Sequence, residues 1–329
     1  MKRDHRVAPI SADDTAIARA LESASTTTLM MSLVHLTGDA SLLRGPIRPG
    51  RALMGEVHGV LPEAERAEVR RQALAALCAY RDRGCTLPPP PSIAMLREMM
   101  SFMVGESVPD EYAPMMLEEL ELDGQDQRAL HWDDVPEARR RAFHVLVIGA
   151  GMSGILAAIR LEQAGIPYTV VEKNPAVGGT WYENRYPGCR VDVANHFYSY
   201  SFEPNEWVEF FSQRAELFAY FERVTRDYGV RPKIRFGREV VDAHWDEDSA
   251  HWEVRLRTQD GTEEWITAQA IVSAVGQLNR PSIPEIPGRE RFTGVSFHSA
   301  AWDETQDLSG KRVAVVGSGA SAFQLVPEV

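Results

Sequence analysis

Three glycines stand at the spacing that a nucleotide-binding turn requires. Gly149, Gly151 and Gly154 form the pattern G-x-G-x-x-G. They follow an apolar run at residues 143–148 that predicts a buried strand, and they open a segment at residues 152–164 whose apolar spacing predicts a helix. In such a turn the first glycine permits the tight bend, the second lets a pyrophosphate approach the backbone, and the third lets the helix pack on the strand. We therefore expect a dinucleotide at this turn.

A carboxylate follows at the position that would contact the ribose. A second β run at residues 168–172 ends in Glu172, 21 residues after Gly151. A carboxylate there accepts hydrogen bonds from a ribose 2′-hydroxyl and repels a 2′-phosphate. The strand, the turn, the helix and the second strand with its terminal acid together favour FAD or NAD over NADP at this first site.

A second glycine turn lies near the end of the sequence. Gly317, Gly319 and Ala322 follow an apolar run at residues 312–316, which predicts another buried strand. Alanine is permitted at the third position, and the ribose-binding end of the next strand would come after Val329. Two such turns predict two dinucleotides. A flavin and a nicotinamide in one enzyme fit this pattern, because hydride must pass from one ring to the other.

Two longer segments carry more specific patterns. The first begins at Gly179 and reads G-T-W-Y-E-N-R-Y-P-G-C-R-V-D, and the second reads F-T-G-V-S-F-H-S-A-A-W-D over residues 292–303. Both resemble signatures of type I Baeyer–Villiger monooxygenases, and the second matches F-x-G-x-x-x-H-x-x-x-W-[PD] throughout. Its fixed positions are Phe292, Gly294, His298, Trp302 and Asp303. The resemblance runs from about Phe143 to Val329, and the helical front half resembles the extension of the 4-hydroxyacetophenone monooxygenase subgroup.

The resemblance implies roles for these residues. In the family the first segment wraps the flavin, so the implied cofactor contacts are Gly179, Thr180, Trp181, Arg185, Tyr186, Asp192 and Tyr198. Asp192 would be the catalytic acid, lying near the isoalloxazine and nicotinamide rings and helping to position the arginine that stabilises a flavin peroxide. A buried acid in that place must be paired with a cation. The second segment, including His298 and Trp302, would link the two dinucleotide domains and couple their motion to turnover.

A further turn near the flavin is implied at Gly276. This glycine ends a buried strand predicted at residues 270–275, and it resembles the family's A-T-G turn, where the backbone packs near the flavin. Here the turn reads Ala274-Val275-Gly276, so valine replaces the threonine and its hydroxyl. A strand-ending glycine without a cofactor contact stays open as the alternative.

The reaction that the resemblance implies is Baeyer–Villiger oxidation. NADPH reduces FAD, dioxygen adds to the reduced flavin, and the flavin peroxide attacks a ketone to give an ester or lactone; the subgroup indicates an aryl ketone. One alternative is an N- or S-oxygenating flavin monooxygenase, against which Trp302 counts. The other is a truncated, inactive flavin-domain chain. Because part of the family's flavin domain and its peroxide-stabilising arginine lie further along the sequence, we expect the 329 residues alone to fold poorly and not to turn over ketones.

These elements predict an α/β fold with two Rossmann-like dinucleotide-binding folds, the second truncated, preceded by an all-α domain. Residues 1–140 would be a helical extension and residues 141–290 the first segment of an FAD-binding domain, including an antiparallel meander at residues 238–267. Residues 291–311 would form the signature linker, and residues 312–329 the truncated start of an NADP-binding domain.

The helical extension carries a methionine stripe with two possible uses. Helices are predicted at residues 62–83 and from Ser92 onward, separated by four prolines at residues 88–91. Six of the chain's 11 methionines fall at helical spacing in the second region: Met95, Met99, Met100, Met103, Met115 and Met116. Such a stripe forms either a helix–helix core or an adaptable partner surface. From the second use we predict a homodimer.

Composition excludes several classes of partner. With 35 Lys and Arg against 47 Asp and Glu, the net charge is −12, which repels the phosphates of nucleic acid and anionic lipid. We therefore expect no nucleic acid and no membrane partner. Cys78, Cys85 and Cys189 include no C-x-x-C pair, so neither a disulfide framework nor a metal site is predicted, and a reducing cytoplasm fits best.

Overall fold

The computed structural model describes residues 9–50, 58–120, 130, 132 and 134–329. The chain divides into two compact units, one within residues 3–129 and one over residues 130–329. The sequence placed the boundary after residue 140, whereas residues 130–140 group with the second unit. The reason is that Trp132 Nε1 donates a hydrogen bond to the carbonyl oxygen of Ala164 at 2.9 Å, and Arg140 Nη1 donates to the same oxygen at 3.4 Å. Residues 121–129, 131 and 133 of the predicted helical extension lie outside the described residues.

Five α-helices lie in the described part of the first unit. They are α1 Asp14–Glu22, α2 Thr26–Thr37, α3 Glu63–Asp82, α4 Ile93–Val104 and α5 Tyr112–Leu120. The side chains of Asp13, Ser25 and Ser92 accept hydrogen bonds from first-turn amides and so begin α1, α2 and α4. Gly38 and Gly105, both in the left-handed conformation, end α2 and α4. The helices predicted at residues 62–83 and after Ser92 are confirmed.

The methionines of α4 and α5 divide between core and surface. Met99 is buried in a cluster with Met30 and Phe102. Met103 and Met115 are 42% and 49% exposed. The stripe therefore contributes to the helical core through one face and leaves apolar side chains on another.

The second unit contains a parallel sheet and an antiparallel sheet. Its strands are β1 Val145–Ile148, β2 Tyr168–Glu172, β3 Ile234–Phe236, β4 Arg238–Asp246, β5 His251–Thr258, β6 Glu263–Ala268 and β7 Ala270–Ser273. Its helices are α6 Glu137–Arg141, α7 Met152–Ala164, α8 Thr180–Glu183, α9 Arg214–Asp227 and α10 Ala320–Leu325. Among all the described helices of the chain, none combines the length and the apolar composition needed to cross a bilayer.

The parallel sheet has the strand order β3-β2-β1-β7. Every neighbouring pair in it is parallel, and β1, α7 and β2 form the predicted strand–helix–strand unit. The α/β fold class is confirmed. Alternate residues of β1 point to opposite faces, so Val145 and Val147 pack with α7 and α9 while Leu146 packs on the other side.

The predicted antiparallel meander is confirmed, and it packs on the face of the parallel sheet that carries Leu146. Its strands pair in the order β4-β5-β6. Val254 and Leu256 of β5 are fully buried, and they share a cluster with Leu146 and Val171 of the parallel sheet. The parallel sheet thus has helices on one face and the meander on the other, which leaves the carboxyl ends of β1 and β2 to carry the glycine turn and Glu172.

The strand predicted at residues 312–316 is not formed. Residues 311–318 have no strand conformation, and Val316 is 72% exposed. A strand needs a neighbour to satisfy its backbone amides and carbonyls, and the two sheets of the described residues do not include this segment. Gly317 still adopts a φ of 129°, and Gly319 is the N-cap of α10. Of the second predicted Rossmann-like fold, the described residues therefore contain the turn and the first helix without the strand.

Several backbone segments converge on the first glycine turn. Gly149 has a φ of 100°, and a Cβ there would stand 2.6 Å from the carbonyl oxygen of Ala274. A Cβ on Gly154 would overlap the carbonyl oxygen of Gly149. A Cβ on Gly151 would lie 3.5 Å from Cα of Gly179, which is ordinary van der Waals contact. The first and third glycines are therefore required by packing, and the second is not.

We expect alanine at Gly154 and alanine at Gly151 to have different effects on stability. Gly154→Ala should lower the free energy of unfolding by at least about 3 kcal/mol, because its methyl group overlaps a backbone oxygen held by the turn. Gly151→Ala should cost no more than about 1 kcal/mol, since its φ of −78° suits any residue and its methyl group has room. Urea unfolding followed by circular dichroism measures both changes. Equal losses in the two variants would contradict this steric account.

Candidate functional site

The N-terminus of α7 faces the glycine backbone of the segment before α8. Gly151 is the N-cap of α7, and no side chain caps this helix end. The Gly178 amide donates a hydrogen bond to the carbonyl oxygen of Ala150 at 2.9 Å, which brings Gly179 against Gly151. First-turn amides and the positive end of a helix dipole favour an anion. The cradle between the two glycine segments therefore suits a phosphate group.

Glu172 lies beside this cradle, at the carboxyl end of β2. Glu172 is 4% exposed, so its carboxylate is buried. Both carboxylate oxygens accept hydrogen bonds from backbone amides. Oε2 accepts from the Ala150 amide at 2.7 Å, and Oε1 accepts from the Asn174 amide at 2.8 Å. These two donors offset the cost of burying the carboxylate. Each oxygen keeps a further lone pair, so the group can still accept from a ribose hydroxyl.

Aromatic side chains form a wall next to the cradle. Trp181 is buried, its Nε1 donates to the Tyr198 hydroxyl at 3.1 Å, and the two rings meet edge to face at 5.6 Å. The Tyr200 hydroxyl donates to the carbonyl oxygen of Met152 in the first turn of α7. The wall is therefore anchored to the helix that carries the glycine turn. Thr180 is exposed at the start of α8.

Arg185 and Tyr186 connect this region to later parts of the chain. The Arg185 guanidinium lies 5.1 Å from the centre of the Tyr182 ring, and its Nη1 is 3.8 Å from Oε2 of Glu304. The Tyr186 hydroxyl donates to Oε1 of Gln324 at 2.8 Å. Burial raises the pKa of Tyr186 to about 12, so this phenol is a neutral donor at neutral pH. Arg185 thus contacts the linker, and Tyr186 contacts α10.

Asp192 is exposed, which differs from the buried acid that the resemblance implies. The chain leaves the core directly after the buried Val191, and both Asp192 and Val193 face solvent. Within the described ranges, no cationic side chain forms an ion pair with Asp192. Burial raises the pKa of Tyr198; the hydrogen bond from Trp181 opposes this shift, and the negative charge of Asp192 adds a smaller contribution that raises the pKa.

The segment around Gly276 contacts the first glycine turn through Ala274 and not through Gly276 itself. Gly276 has a φ of 77° and is exposed, and a Cβ there would meet no atom within 4 Å. Ala274, two residues earlier, supplies the carbonyl oxygen that packs on Gly149. Gly276 therefore provides the bend after β7, and Ala274 provides the contact with the first turn.

The fixed residues of the second signature shape the linker locally. A Cβ on Gly294 would stand 2.5 Å from the Phe292 ring, so the glycine makes room for that ring. His298 Nδ1 accepts a hydrogen bond from the Ala300 amide at 3.0 Å and begins a 3₁₀ turn, Ser299–Ala301. Trp302 follows this turn directly and packs against the main core of the second unit.

The last fixed residue ends the linker segment with a second turn. Asp303 Oδ1 accepts from the Thr305 amide at 3.0 Å, and Oδ2 accepts from Nε2 of Gln306 at 2.8 Å. The Thr305 hydroxyl also donates to Oδ1, at 2.6 Å. This hydrogen bond first, and then those from Gln306 and the Thr305 amide, hold the pKa of Asp303 below its usual value. Trp302 also meets the Phe297 ring edge to face at 5.1 Å. Each fixed position of the motif therefore has a structural contact within a few residues.

The second glycine turn is open, and its helix contacts the first signature. A Cβ on Gly317 or Gly319 would meet no atom within 4 Å. The Ala322 amide donates to the carbonyl oxygen of Gly319 at 3.0 Å in the first turn of α10. Sequence analysis gave no role to Gln324 or to Gly188, which bring this helix to the first signature. A single glutamine in a helix has no pattern to reveal it, whereas the Pro187-Gly188 pair is a turn signal that could have drawn attention to Gly188.

The residues of the first turn fit FAD. A cradle that a Cβ would narrow, a buried carboxylate at the end of β2 and an aromatic wall beside α7 are the features that a pyrophosphate, a ribose and a ring system require. The second turn offers glycine backbone, but the described residues beyond it contain no strand with a terminal acid. The two predicted dinucleotide sites are therefore unequally formed.

Residues 146–328 match the family described as pyridine nucleotide-disulphide oxidoreductase. The chain is 40% identical over 314 residues to the uncharacterized monooxygenase y4iD of Sinorhizobium fredii, covering 95% of this chain and 46% of the relative. It is 48% identical over 187 residues to a Baeyer–Villiger monooxygenase of Streptomyces coelicolor, covering 56% of this chain and 35% of the relative. The chain thus spans about a third to a half of the length of these curated relatives.

Two solved structures are similar to the chain at a TM-score of 0.52. One is OTEMO in complex with FAD and NADP, 37% identical and covering 57% of this chain and 37% of that one. The other is cyclohexanone monooxygenase bound to ε-caprolactone, 35% identical and covering 56% of this chain and 37% of that one. The chain belongs to the pyridine nucleotide-disulphide oxidoreductase family, with Baeyer–Villiger monooxygenases among its homologues and structural neighbours.

Proposed function

We propose that the protein is a flavin-dependent monooxygenase of the Baeyer–Villiger type, which binds FAD at the first glycine turn and takes its electrons from NADPH. The observation that carries this proposal is the cradle at Gly151 with Glu172 at its side. The signature at residues 292–303 adds to it. The OTEMO structure holds FAD and NADP, and a relative from Aspergillus niger is named FAD-binding monooxygenase ktnD.

The chain's own residues would bind and orient the cofactor. The N-terminus of α7 would hold the pyrophosphate against Gly151, and Glu172 would accept hydrogen bonds from the ribose. Trp181 and Tyr198 would exclude water from one side of the site. Asp192, exposed and close to that wall, is free to pair with a cation near the reacting ring. When bound, FAD supplies the redox chemistry that activates dioxygen.

FAD binding is the first test of this proposal. We expect the protein expressed from its natural gene to bind FAD and to be yellow. Gly151→Ala should weaken the affinity at least tenfold, about 1.4 kcal/mol, because its methyl group occupies the place of the pyrophosphate while the fold tolerates it. Titration of FAD followed by flavin fluorescence measures the dissociation constant. Gly319→Ala is the matched control, because Gly319 is the N-cap of α10 with the same φ of −78°, and its Cβ would meet no atom within 4 Å; it should leave the FAD affinity unchanged. Equal affinity in wild type and Gly151→Ala would contradict the assignment.

We propose that the oxygen is inserted next to the carbonyl of a small ketone, with an aryl ketone favoured by the helical unit that precedes the first turn. Support for a ketone comes from the Baeyer–Villiger relatives and from Trp302 in the second signature. The competing chemistry for the same cofactors is oxygenation of nitrogen or sulfur. The two reactions differ in whether the atom that is attacked is electron-poor, as in a ketone, or electron-rich, as in an amine or thioether. A pair of matched substrates therefore distinguishes them.

The substrate test uses the protein expressed from its natural gene, with NADPH and ¹⁸O₂. An aryl methyl ketone and the matching aryl methyl thioether are offered in separate reactions, and products are analysed by mass spectrometry. We expect an ester that carries one ¹⁸O atom, formed at least about ten times faster than any sulfoxide. Sulfoxide without ester would favour the alternative chemistry. At an FAD concentration near the wild-type dissociation constant, Gly151→Ala should lower the yields of both products together.

We propose that the helical unit forms the interface of a homodimer. Exposed apolar side chains on α4 and α5 support this: Ile93, Met103, Val104, Tyr112 and Met115. Methionine-rich surfaces adapt readily to a partner, and patches of this kind are uncommon on monomers.

The dimer is tested by placing a charge in the patch. Met115→Glu should convert the dimer to a monomer, because an unpaired carboxylate would be buried in the interface. Size-exclusion chromatography with light scattering measures the mass. Leu87→Glu is the matched control, since Leu87 is 57% exposed in the same unit but lies outside α4 and α5. An unchanged mass for Met115→Glu, or a monomeric wild type, would refute the interface.

The location we propose is the cytoplasm. Cys78, Cys85 and Cys189 are all free thiols, as a reducing compartment would keep them. Burial raises the pKa of Cys189, so this thiol is protonated and unreactive at neutral pH.

A further inference from the structure

Both polar atoms of the Gln324 carboxamide form hydrogen bonds, and these join α10 to the first signature segment, residues 179–192. Its Oε1 accepts hydrogen bonds from the Tyr186 hydroxyl at 2.8 Å and from the Arg190 amide at 3.1 Å. Its Nε2 donates to the carbonyl oxygen of Arg190 at 2.9 Å. The side chain thus pairs with both backbone groups of one residue, as a neighbouring β-strand would. Three hydrogen bonds on one amide leave it a single orientation.

Two further features show that this contact is built into the packing. A Cβ on Gly188 would overlap the Gln324 carbonyl oxygen and would stand 2.9 Å from Cγ of Glu328, so only glycine lets the two segments approach this closely. Leu325, the next residue of α10, is buried in the main core of the second unit. The helix is therefore seated on the first signature by backbone approach, apolar burial and hydrogen bonding together.

We infer that Gln324 is a positioning residue that couples the helix of the second glycine turn to the flavin-binding region. Arg190 lies two residues before Asp192, and Tyr186 follows the short helix that carries Trp181. A shift of α10 therefore moves or releases the segment at residues 186–192, and ordering of that segment fixes α10. Such coupling is reciprocal, so a ligand at the first turn should be detected at α10.

Hydrogen–deuterium exchange without ligand tests the contact itself. The Arg190 amide is bonded to Gln324, so Gln324→Leu should speed its exchange at least tenfold. Gln324→Glu keeps an acceptor for the Tyr186 hydroxyl and the Arg190 amide but turns its other oxygen toward the Arg190 carbonyl oxygen, which repels it. It should therefore also speed exchange, and it provides a second variant if Gln324→Leu folds poorly. Gln163→Leu, at an exposed glutamine of α7, is the matched control and should leave Arg190 unchanged. Arg190 exchange that is the same in wild type and both Gln324 variants would overturn the inference.

Exchange with FAD tests the coupling, and this arm rests on the proposed function. In wild type we expect FAD to slow exchange at residues 148–156 directly and at residues 320–326 through Gln324. In Gln324→Leu the first effect should remain and the second should disappear. Slowing at residues 320–326 that is equal in the two proteins, or absent from both while residues 148–156 are slowed, would overturn the coupling. No slowing at residues 148–156 would instead count against FAD at the first turn, and the ligand-free comparison would still decide the role of Gln324.

Discussion

The second unit depends on backbone segments that meet at one glycine turn with no side chain between them. The end of β7 touches the turn through the Ala274 carbonyl oxygen, the start of α7 touches it through Gly154, and the segment before α8 touches it through Gly179. These contacts fix the parallel sheet, the helix on its face and the first signature relative to one another. Glu172 adds a buried carboxylate bonded to the Ala150 amide, so an electrostatic contact reinforces the steric one. The space that would receive a phosphate is a consequence of this packing.

The elements that sequence predicted well are those whose signals are local. The unit from β1 to β2 and the meander from β4 to β6 have periodic apolar residues bounded by glycines, and their observed bounds lie within a few residues of the predicted ones. The strand predicted at residues 312–316 was wrong because a strand also needs a neighbour, which local sequence does not reveal. The exposure of Asp192 could not be predicted for the same reason, since burial is decided by distant parts of the chain. Gln324 carried no local signal at all, although its three partners make it one of the most constrained polar side chains near the site.

The fixed residues of the second signature make their contacts within a few residues of one another in the chain. Gly294 accommodates the Phe292 ring, and Trp302 packs on Phe297. Asp303 closes the turn that follows. A substitution at any fixed position therefore alters the conformation of the linker directly, and it affects the rest of the second unit only through the linker. The Arg185–Glu304 pair then connects this locally shaped linker to the first signature.

The hydrogen bond at the start of the 3₁₀ turn decides which ring nitrogen of the linker histidine can donate to its surroundings. Because Nδ1 of His298 accepts from the Ala300 amide, the single proton of the neutral ring resides on Nε2. The outward nitrogen is therefore a donor and has no lone pair with which to remove a proton from a neighbour. His298 therefore serves the linker as an N–H donor at Nε2, while its other ring nitrogen is used by the capped turn.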